Sequence, residues 1–229
     1  MSFDVYGTLV DVRGGSHAAF TAILAEAGAP ELDALEFWER WEAANIRRYW
    51  EPYRSYRDIC RASLDETLRH YGLRADADLI EHYFAAFSRF RRFADVDAVL
   101  AELATRFRLA VVSNIDDDLL AATDLGRRFD LVCTASRAHG YKPDGTLFRF
   151  LLERSGVQTR DLLHCGQSQR TDMVGAKPLG ITVAWINRRR LSLAADVPKP
   201  DHEFGDLFAV SELLRDQSGR PPGAAGNAV

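Results

Sequence analysis

The sequence predicts an α/β fold: a Rossmann-like parallel sheet core with helices on both faces and a helical cap inserted after the first strand. Two observations predict it. From residue 95 onward, short apolar runs alternate with helical patterns, which is typical of parallel strands covered on both faces. Before that region, the segment 15–93 has helical spacing and no convincing strand, and it is far longer than an ordinary loop.

The first predicted strand, at 2–9, runs into a tight turn at Gly7-Thr8, and only three residues precede Asp4. Apolar residues then recur at helix spacing up to about Phe93. The tail is rich in Gly, Pro, Ser and Ala, which favours disorder. The sequence therefore predicts three parts, namely a core domain at 1–14 and 94–215, a helical cap domain at 15–93 and a disordered tail at 216–229.

The second half of the chain supplies the rest of the predicted sheet. Its predicted strands are 109–112, 129–133, 162–165, 181–185 and a short one at 202–204. Its predicted helices are 96–105, one that starts at 117, 146–155 and 172–179. Ligands of open parallel sheets bind beyond the carboxyl ends of the strands. We therefore expect the chemistry at Asp4, Ser113, Lys142 and Asp172, which lie after these strands.

Composition narrows the function. The chain is 47% hydrophobic and 27% charged with a net charge of -4, which is ordinary for a globular protein and argues against a nucleic-acid partner. No apolar run is long enough for a membrane span, and the N-terminus lacks the regions of a signal peptide, which predicts the cytoplasm. The three cysteines and six histidines lack metal-ligand spacing, so no metal site is expected.

Four short polar motifs follow one another in a specific order. They are Phe3-Asp4-Val5-Tyr6-Gly7-Thr8-Leu9, Val112-Ser113-Asn114, Tyr141-Lys142-Pro143-Asp144 and the segment 166–172. This order resembles the four motifs of the haloacid dehalogenase-like hydrolase superfamily, over about residues 1–210. The resemblance implies a hydrolase with Asp4 as nucleophile, and the helical insertion looks like that superfamily's small helical cap.

Tyr6 directs the resemblance to one subfamily. Phosphatases of the superfamily usually carry a second Asp two places after the nucleophile, as a general acid for the departing alcohol. A halide leaves without a proton, so a carbon–halogen hydrolase can dispense with that acid. The string Asp-x-Tyr-Gly-Thr-Leu, with Tyr-Lys-Pro-Asp later, is similar to the 2-haloacid dehalogenases. This implies hydrolytic dehalogenation of a small 2-haloalkanoic acid through an aspartyl ester, with ring opening of a small cyclic amino acid as a near variant.

Three residues are predicted to be catalytic. Asp4, at a strand end among backbone N–H groups, stays ionised and can form an ester; the alternative is an Asp that braces the turn. Lys142 neutralises charge around Asp4, unless it is a solvated surface lysine. Asp172 is the candidate to orient or deprotonate the hydrolytic water; the alternative is a charge at a helix N-terminus.

Seven residues are predicted to bind the substrate: Tyr6, Thr8, Arg40, Ser113, Asn114, Gln167 and Ser168. Ser113 and Asn114 can donate hydrogen bonds to a substrate carboxylate or leaving group, although both are also good helix caps. Thr8 bonds either the substrate or Asp4. By resemblance, Arg40 on the cap receives the halide, with Arg47 and Arg48 as competitors. Four aromatic residues line an apolar pocket or pack in the core, namely Trp38, Trp41, Tyr49 and Trp50.

The sequence departs from the resemblance at several positions. Gln167 stands where phosphatases carry a metal-binding acid; together with Tyr6, it leaves few hard ligands for Mg²⁺, so we expect no required cofactor for a dehalogenase. Gln167, Gln169 and Phe148 also replace polar residues that are usual in dehalogenases. Two alternatives remain open, a magnesium-dependent phosphatase and a degenerate member that binds a small molecule or partner. The expected partner is a small-molecule substrate, and a homodimer is possible.

Overall fold

The computed structural model describes residues 1–218 and builds its core on a parallel six-stranded sheet. The strands are β1 (Ser2–Phe3), β2 (Ala110–Ser113), β3 (Leu131–Thr134), β4 (Leu163–Gly166), β5 (Thr182–Ile186) and β6 (His202–Phe204). Their order across the sheet is β3-β2-β1-β4-β5-β6, and every neighbouring pair is parallel. The predicted Rossmann-like sheet is therefore confirmed.

Strand β1 is central although it has only two residues. Phe3 pairs with Val111 of β2 on one side and with Cys165 of β4 on the other. The prediction of a strand over 2–9 was wrong in its length. After Asp4 the backbone turns, and the N–H groups of Leu9 and Val10 donate to the carbonyl of Val5 instead of to a neighbouring strand.

Helices separate β1 from β2 and cover both faces of the sheet. The insertion contains α1 (Val12–Glu26), α2 (Ala34–Arg48), α3 (Tyr56–His70) and α4 (Glu81–Phe84). The helices that follow are α5 (Val96–Leu103), α6 (Asp117–Ala122), α7 (Ala135–Ala138), α8 (Thr146–Ser155), α9 (Val174–Ala176) and α10 (Phe208–Ser218). Single 3₁₀ turns occur at Ala77–Ile80, Phe87–Arg89, Thr159–Asp161 and Lys177–Leu179, and a π-helical turn at Gln169–Met173.

The sheet divides the apolar core into two layers. On one face, the buried side chains of α8 and α9 pack against Val112, Cys133 and Trp185. On the other, Phe3, Val111 and Ile186 belong to a larger core that also contains buried residues of α1, α5 and α10. Because side chains alternate along a strand, a strand buried on both faces has the nearly continuous apolar runs seen in the sequence.

Aromatic packing and helix caps hold the inserted helices together. Phe20 of α1 lies 5.1 Å from Trp41 of α2 and 5.6 Å from Tyr83 of α4, between ring centroids. Asp33 caps α2 by accepting from the N–H groups of Leu35 and Glu36. Such a cap typically stabilises a helix by about 1 kcal/mol. We refer to the inserted helices as the cap; the predicted domain boundaries at 15 and 93 stay a prediction.

The end of the described chain corrects one expectation. Helix α10 runs to Ser218, so 216–218 are helical where the predicted disordered tail begins. The rest of that predicted tail, 219–229, lies outside the described residues. Within 1–218, no helix has both the length and the apolar character that a membrane span needs.

Candidate active site

A buried ion-pair cluster lies at the carboxyl ends of the two central strands. Asp4 follows β1, and Asp172 lies in the π-helical turn after β4. The ammonium nitrogen of Lys142, in the loop before α8, lies 2.5 Å from Oδ1 of Asp4 and 2.7 Å from Oδ1 of Asp172. Only 5% of Asp4, 2% of Lys142 and none of Asp172 is exposed. The structure thus brings together the three residues that were predicted to be catalytic.

The local chain geometry explains why Asp4 and Asp172 meet. The N–H of Asp4 donates to the carbonyl of Cys165 at 2.9 Å, which fixes the start of the turn beside β4. Gly166 ends β4, and a Cβ there would lie 2.3 Å from Cγ of Asp172. Any larger residue at 166 would therefore push the Asp172 carboxyl out of the cluster.

Thr8 orients the Asp4 carboxyl from the opposite side. Its hydroxyl donates to Oδ2 of Asp4 at 2.8 Å and accepts from the N–H of Gln167 at 2.9 Å. Gly7, at φ 89°, makes the turn possible because this backbone conformation disfavours a side chain. Both oxygens of Asp4 are thus hydrogen-bonded. Thr8 is fully buried and binds Asp4, so of its two predicted roles the structure supports this one and not substrate binding.

The cluster places one cation between two anions. Burial raises the pKa of the Asp4 carboxyl; Lys142 opposes the rise, and the charge of Asp172 adds to it. Burial alone would lower the pKa of Lys142, but Asp172 and Asp4 outweigh it and raise that pKa, so the ammonium persists. Burial of Asp172 is likewise outweighed, by Lys142 and His164, and its pKa is lowered to about 2.

His164 extends this cluster into the sheet and was not singled out by the sequence. Its Nε2 lies 3.1 Å from Oδ1 of Asp172, and its Nδ1 lies 3.0 Å from Oγ of Ser2. A histidine within an apolar strand was the available signal, because a buried polar ring needs partners. His164 and Lys142 therefore hold Asp172 from two directions.

Asp172 is poorly suited to the predicted role of a base. Its Oδ1 is shared by Lys142 and His164, and its Oδ2 accepts from the N–H of Ser168 at 2.9 Å. Lys142 and His164 also lower the pKa of this carboxyl, which makes it a weaker base. In the structure Asp172 anchors Lys142 beside Asp4, and its predicted role of orienting or deprotonating the water stays a prediction.

A cavity of about 80 Å³ opens onto Asp4 between core and cap. We call it the inner cavity. On the core side it is lined by seven of the predicted site residues, namely Asp4, Tyr6, Ser113, Asn114, Lys142, Gln167 and Ser168. On the cap side, Trp38, Trp41 and Tyr49 line it, as proposed for an apolar pocket, whereas Trp50 is 57% exposed. A carboxylate thus faces a small space enclosed largely by aromatic rings.

Comparison with known proteins agrees with this geometry. The family model of the haloacid dehalogenase-like hydrolases matches residues 1–180, which is most of the chain. The chain belongs to this family.

Curated relatives of this hydrolase include proteins with different activities. An (S)-2-haloacid dehalogenase of Pseudomonas sp. (strain YL) is 28% identical over 228 residues, covering 96% of each chain. A phosphoserine phosphatase of Thermus thermophilus is 29% identical over 202 residues, covering 85% of this chain and 74% of the phosphatase. Among solved structures, the L-2-haloacid dehalogenase from Xanthobacter autotrophicus with chloropropionic acid covalently bound has a TM-score of 0.79 at 24% identity, with 93% and 97% of the two chains covered. That last likeness shows the fold.

Two side-chain donors in the inner cavity lack partners. Oγ of Ser113 and Nδ2 of Asn114 are buried and have no hydrogen-bond partner within residues 1–218. The other amide atom of Asn114, Oδ1, accepts from the N–H of Lys142 at 2.9 Å, which fixes the direction of Nδ2. Leaving buried donors unpaired is costly, and acceptor atoms of a ligand in the inner cavity would remove that cost.

Tyr6, Gln167 and Ser168 line the inner cavity in a more limited way than predicted. The Tyr6 hydroxyl lies 2.9 Å from Oγ1 of Thr123, which in turn donates to a carbonyl, so Tyr6 donates to Thr123 and offers the cavity only its ring. Oγ of Ser168 accepts from the N–H of Thr171 at 3.2 Å. Gln167 packs its side chain on Gly7. None of these contacts prevents a substrate from touching the three residues.

The prediction that Arg40 receives the leaving halide was wrong. Its guanidinium carbon lies 6.0 Å from the ring centroid of Tyr71, and the side chain lines a depression on the outer surface of the cap. With 3.6 residues per turn, α2 can direct Trp38 and Trp41 inward only by directing residue 40 outward. The competing Arg47 and Arg48 both pair with Glu66 on α3.

The departures at Gln169 and Phe148 do not alter the inner cavity. The side-chain amide of Gln169 donates to the carbonyl of Ser192 and accepts from the N–H of Ala194, so it braces a distant loop. Phe148 is fully buried, with its ring centroid 4.8 Å from that of His164.

Two further residues were missed by sequence reasoning. Nη2 of Arg188 donates to the carbonyl of Thr8 at 2.8 Å and pairs with Asp95 at 2.9 Å, so it ties the turn that follows Asp4 to the start of α5. Its position just after β5 was the available signal. Glu42 of α2 lines the inner cavity, and its signal was its place one helical turn after Trp38.

The residues around Asp4 fit Mg²⁺ poorly. Mg²⁺ takes hard oxygen ligands in octahedral geometry. Next to Asp4, this hydrolase offers a Gln at 167 and an Asp172 whose oxygens are already hydrogen-bonded. Within the described part of the chain, no group of three or more His, Cys, Asp or Glu side chains is arranged to hold a metal ion.

Proposed function

We propose that this hydrolase displaces a halide from C2 of a small 2-haloalkanoic acid, with Asp4 as the nucleophile. One observation carries the proposal: the Asp4 carboxyl faces the inner cavity while Lys142 and Thr8 hold its two oxygens. The (S)-2-haloacid dehalogenase of Pseudomonas that matches nearly the whole chain supports the choice of substrate. The small size of the inner cavity suits a short acid.

The first step forms an ester. The substrate carboxylate accepts hydrogen bonds from Ser113 and Asn114, whose free donors lie in the inner cavity. An oxygen of Asp4 then bonds to C2 while the carbon–halogen bond breaks and the halide leaves with its electron pair. Lys142 keeps Asp4 ionised before the attack and remains beside it afterwards.

The second step restores the enzyme. Water adds to the carbonyl carbon of the Asp4 ester, and the bond between that carbon and the substrate oxygen breaks. The products are a 2-hydroxy acid and a free Asp4 carboxylate, with one proton released overall. Since attack occurs at the Asp4 carbonyl, the new oxygen atom enters Asp4 first and reaches product only in a later turnover.

The competing function is a magnesium-dependent phosphatase, which the Thermus relative favours. The position two residues after Asp4 supplies no general acid for such a reaction, because the hydroxyl of Tyr6 is bonded to Thr123 and burial raises the pKa of Tyr6 further above the ordinary value. The cytoplasmic location and a homodimer remain predictions of the sequence.

The test supplies the protein with chloroacetate and L-2-chloropropionate, and separately with an aryl phosphate, each with magnesium and with EDTA. We expect chloride release that EDTA leaves unchanged and no phosphate release. A single turnover in heavy-oxygen water should place the label in the peptide that contains Asp4. Phosphate release that depends on magnesium, without chloride release, would establish the phosphatase instead.

A further inference from the structure

Glu42 occupies a position that the proposed reaction does not use. It lies on the inward side of α2 and lines both the inner cavity and a neighbouring outer cavity of about 190 Å³. The outer cavity, which Arg13, Arg188 and Arg189 also line, is shared between cap and core. Glu42 is therefore the cap carboxyl that faces the space above Asp4.

Glu42 forms no ion pair with any other residue of 1–218. The nearby Arg13 and Arg189 both direct Nη2 at Oε1 of Glu39, at 3.2 and 3.0 Å, one helical turn earlier on α2. Among residues 1–218, no hydrogen bond or ion pair reaches the Glu42 carboxyl. Burial raises the pKa of Glu42 to about 7, Arg189 opposes the rise, and Glu39 adds to it. Near neutral pH, this carboxyl exists in both protonation states, so it can give a proton and take one back.

The charges of the inner cavity beside Glu42 do not include a free cation that would receive a departing halide. Besides four tyrosines, the ionisable side chains that line the two cavities beside it are Asp4, Asp11, Arg13, Lys142, Arg188 and Arg189. Of these, Lys142 is the basic residue of the inner cavity, and two carboxylates already engage its ammonium. The cap residues that line the inner cavity include no Lys or Arg and one carboxylic acid, Glu42. A carboxylic acid can protonate a leaving group, so it suits a leaving group that departs with a proton.

We propose that Glu42 is the acid–base residue of the Asp4 reaction, and that the site opens small carboxylic acids whose leaving group at C2 is an oxygen atom. The simplest such substrate is oxirane-2-carboxylate. The inference rests on the proposed function only in its use of Asp4 as the nucleophile, and it extends the substrate class beyond halides.

The reaction balances in two steps. An Asp4 oxygen bonds to C2, the C2–O bond of the ring breaks with its electrons moving to the ring oxygen, and Glu42 transfers its proton to that oxygen. Water then adds to the Asp4 carbonyl carbon while the Glu42 carboxylate takes one of its protons. The ester bond breaks, the second water proton passes to the substrate oxygen, and a 2,3-dihydroxy acid leaves. One carboxyl acting as acid and then as base also occurs in retaining glycosidases.

The experiment compares wild type, Glu42→Gln and a control, Glu36→Gln, which changes an exposed carboxyl on the same helix. Each is given oxirane-2-carboxylate or chloroacetate, and diol, chloride and the intact protein mass are measured. We expect Glu42→Gln to lose oxirane opening by about 10²- to 10⁴-fold, the usual contribution of a positioned acid or base. With chloroacetate it should release about one chloride per protein and stall as the Asp4 ester, because a halide needs no acid but ester hydrolysis needs a base. Glu36→Gln should match wild type.

Three outcomes would overturn the inference. Glu42→Gln could open the oxirane at the wild-type rate, or turn over chloroacetate without accumulating ester. Alternatively, wild type could hydrolyse chloroacetate and leave the oxirane intact, which would reject an oxygen atom as the leaving group while the proposed dehalogenation stands. The proposed function fails separately, if Asp4→Asn keeps the activity on both substrates.

Discussion

The two walls of the inner cavity differ in which of their polar groups lack partners. On the core wall, Asp4, Lys142 and Asp172 pair with one another within 2.5 to 2.7 Å, while Ser113 and Asn114 each keep one donor that has no partner in residues 1–218. On the cap wall, Nε1 of Trp38 and Oδ1 of Asn45 are buried without a partner, and Glu42 has no ion pair within the described residues. Buried polar groups are normally satisfied, so unpaired ones indicate a ligand position. We therefore infer that the core wall fixes the Asp4 carboxyl and offers two donors to a ligand, whereas the cap wall offers its own unpaired groups to the same ligand.

Of the substitutions considered, replacing Asp4, the proposed nucleophile, should reduce activity most. Asp4→Asn keeps the shape of the side chain but cannot form the ester, so we expect activity to fall by about 10⁴-fold or more. The control is Asp144→Asn. Asp144 is exposed and lies two residues after Lys142, and its carboxylate accepts a hydrogen bond from the N–H of Thr146. Chloride release from L-2-chloropropionate measures both variants. Equal activity in Asp4→Asn and wild type would contradict the assignment of Asp4.

Removing the cation tests whether the core wall is also structural. Lys142→Met leaves two buried carboxylates facing each other, so we expect a loss of about 3–5 kcal/mol in the free energy of unfolding as well as of activity. Lys177→Met is the matched control. Its ammonium lies 2.7 Å from Asp201, but those side chains are 22% and 37% exposed, so the loss should be at most about 1 kcal/mol. Urea unfolding monitored by circular dichroism measures both, and equal losses would refute the distinction.

The raised pKa of Asp4 predicts how the reaction at the core wall depends on pH. Asp4 reacts as the carboxylate, so dehalogenation should be complete above its pKa and fall about tenfold per pH unit below it. Because burial raises that pKa, this acid limb should lie above the ordinary carboxyl value of about 4. The pH profile of kcat/KM with L-2-chloropropionate measures it. Full activity down to pH 4 would show that the pKa of Asp4 is not raised, because the charge of Lys142 outweighs the effect of burial.

The outer surface of the cap should matter least. Arg40→Ala removes a guanidinium that contacts only the ring face of Tyr71 and the surface around it, so we expect kcat and KM to stay within about twofold of wild type and stability to change by no more than about 0.5 kcal/mol. Steady-state chloride release checks this. A large fall in kcat would mean that the cap moves Arg40 into the inner cavity during turnover.

Local patterns in the sequence were sufficient for the fold and for the core wall. Apolar runs and their spacing predicted the parallel sheet and the inserted helices, and the short motifs at strand ends predicted Asp4, Lys142 and Asp172. The hydrogen bonds that engage both oxygens of Asp172 were not predictable in that way. One of their donors, His164, comes from within an apolar strand.

The polar residues of the cap wall could not be predicted from local patterns. A helix carries several polar residues, and the sequence does not say which face of the helix turns inward. Arg40 and Glu42 stand two positions apart on α2. Because Trp38 and Trp41 pack inward, Glu42 lines the inner cavity and Arg40 lies on the outer surface of the cap. The sequence by itself determined the sheet, the insertion and the residues at the strand ends, since these follow from periodicity and chain order. Only the tertiary structure decided which cap side chains face Asp4, since the rotation of α2 is set by long-range packing.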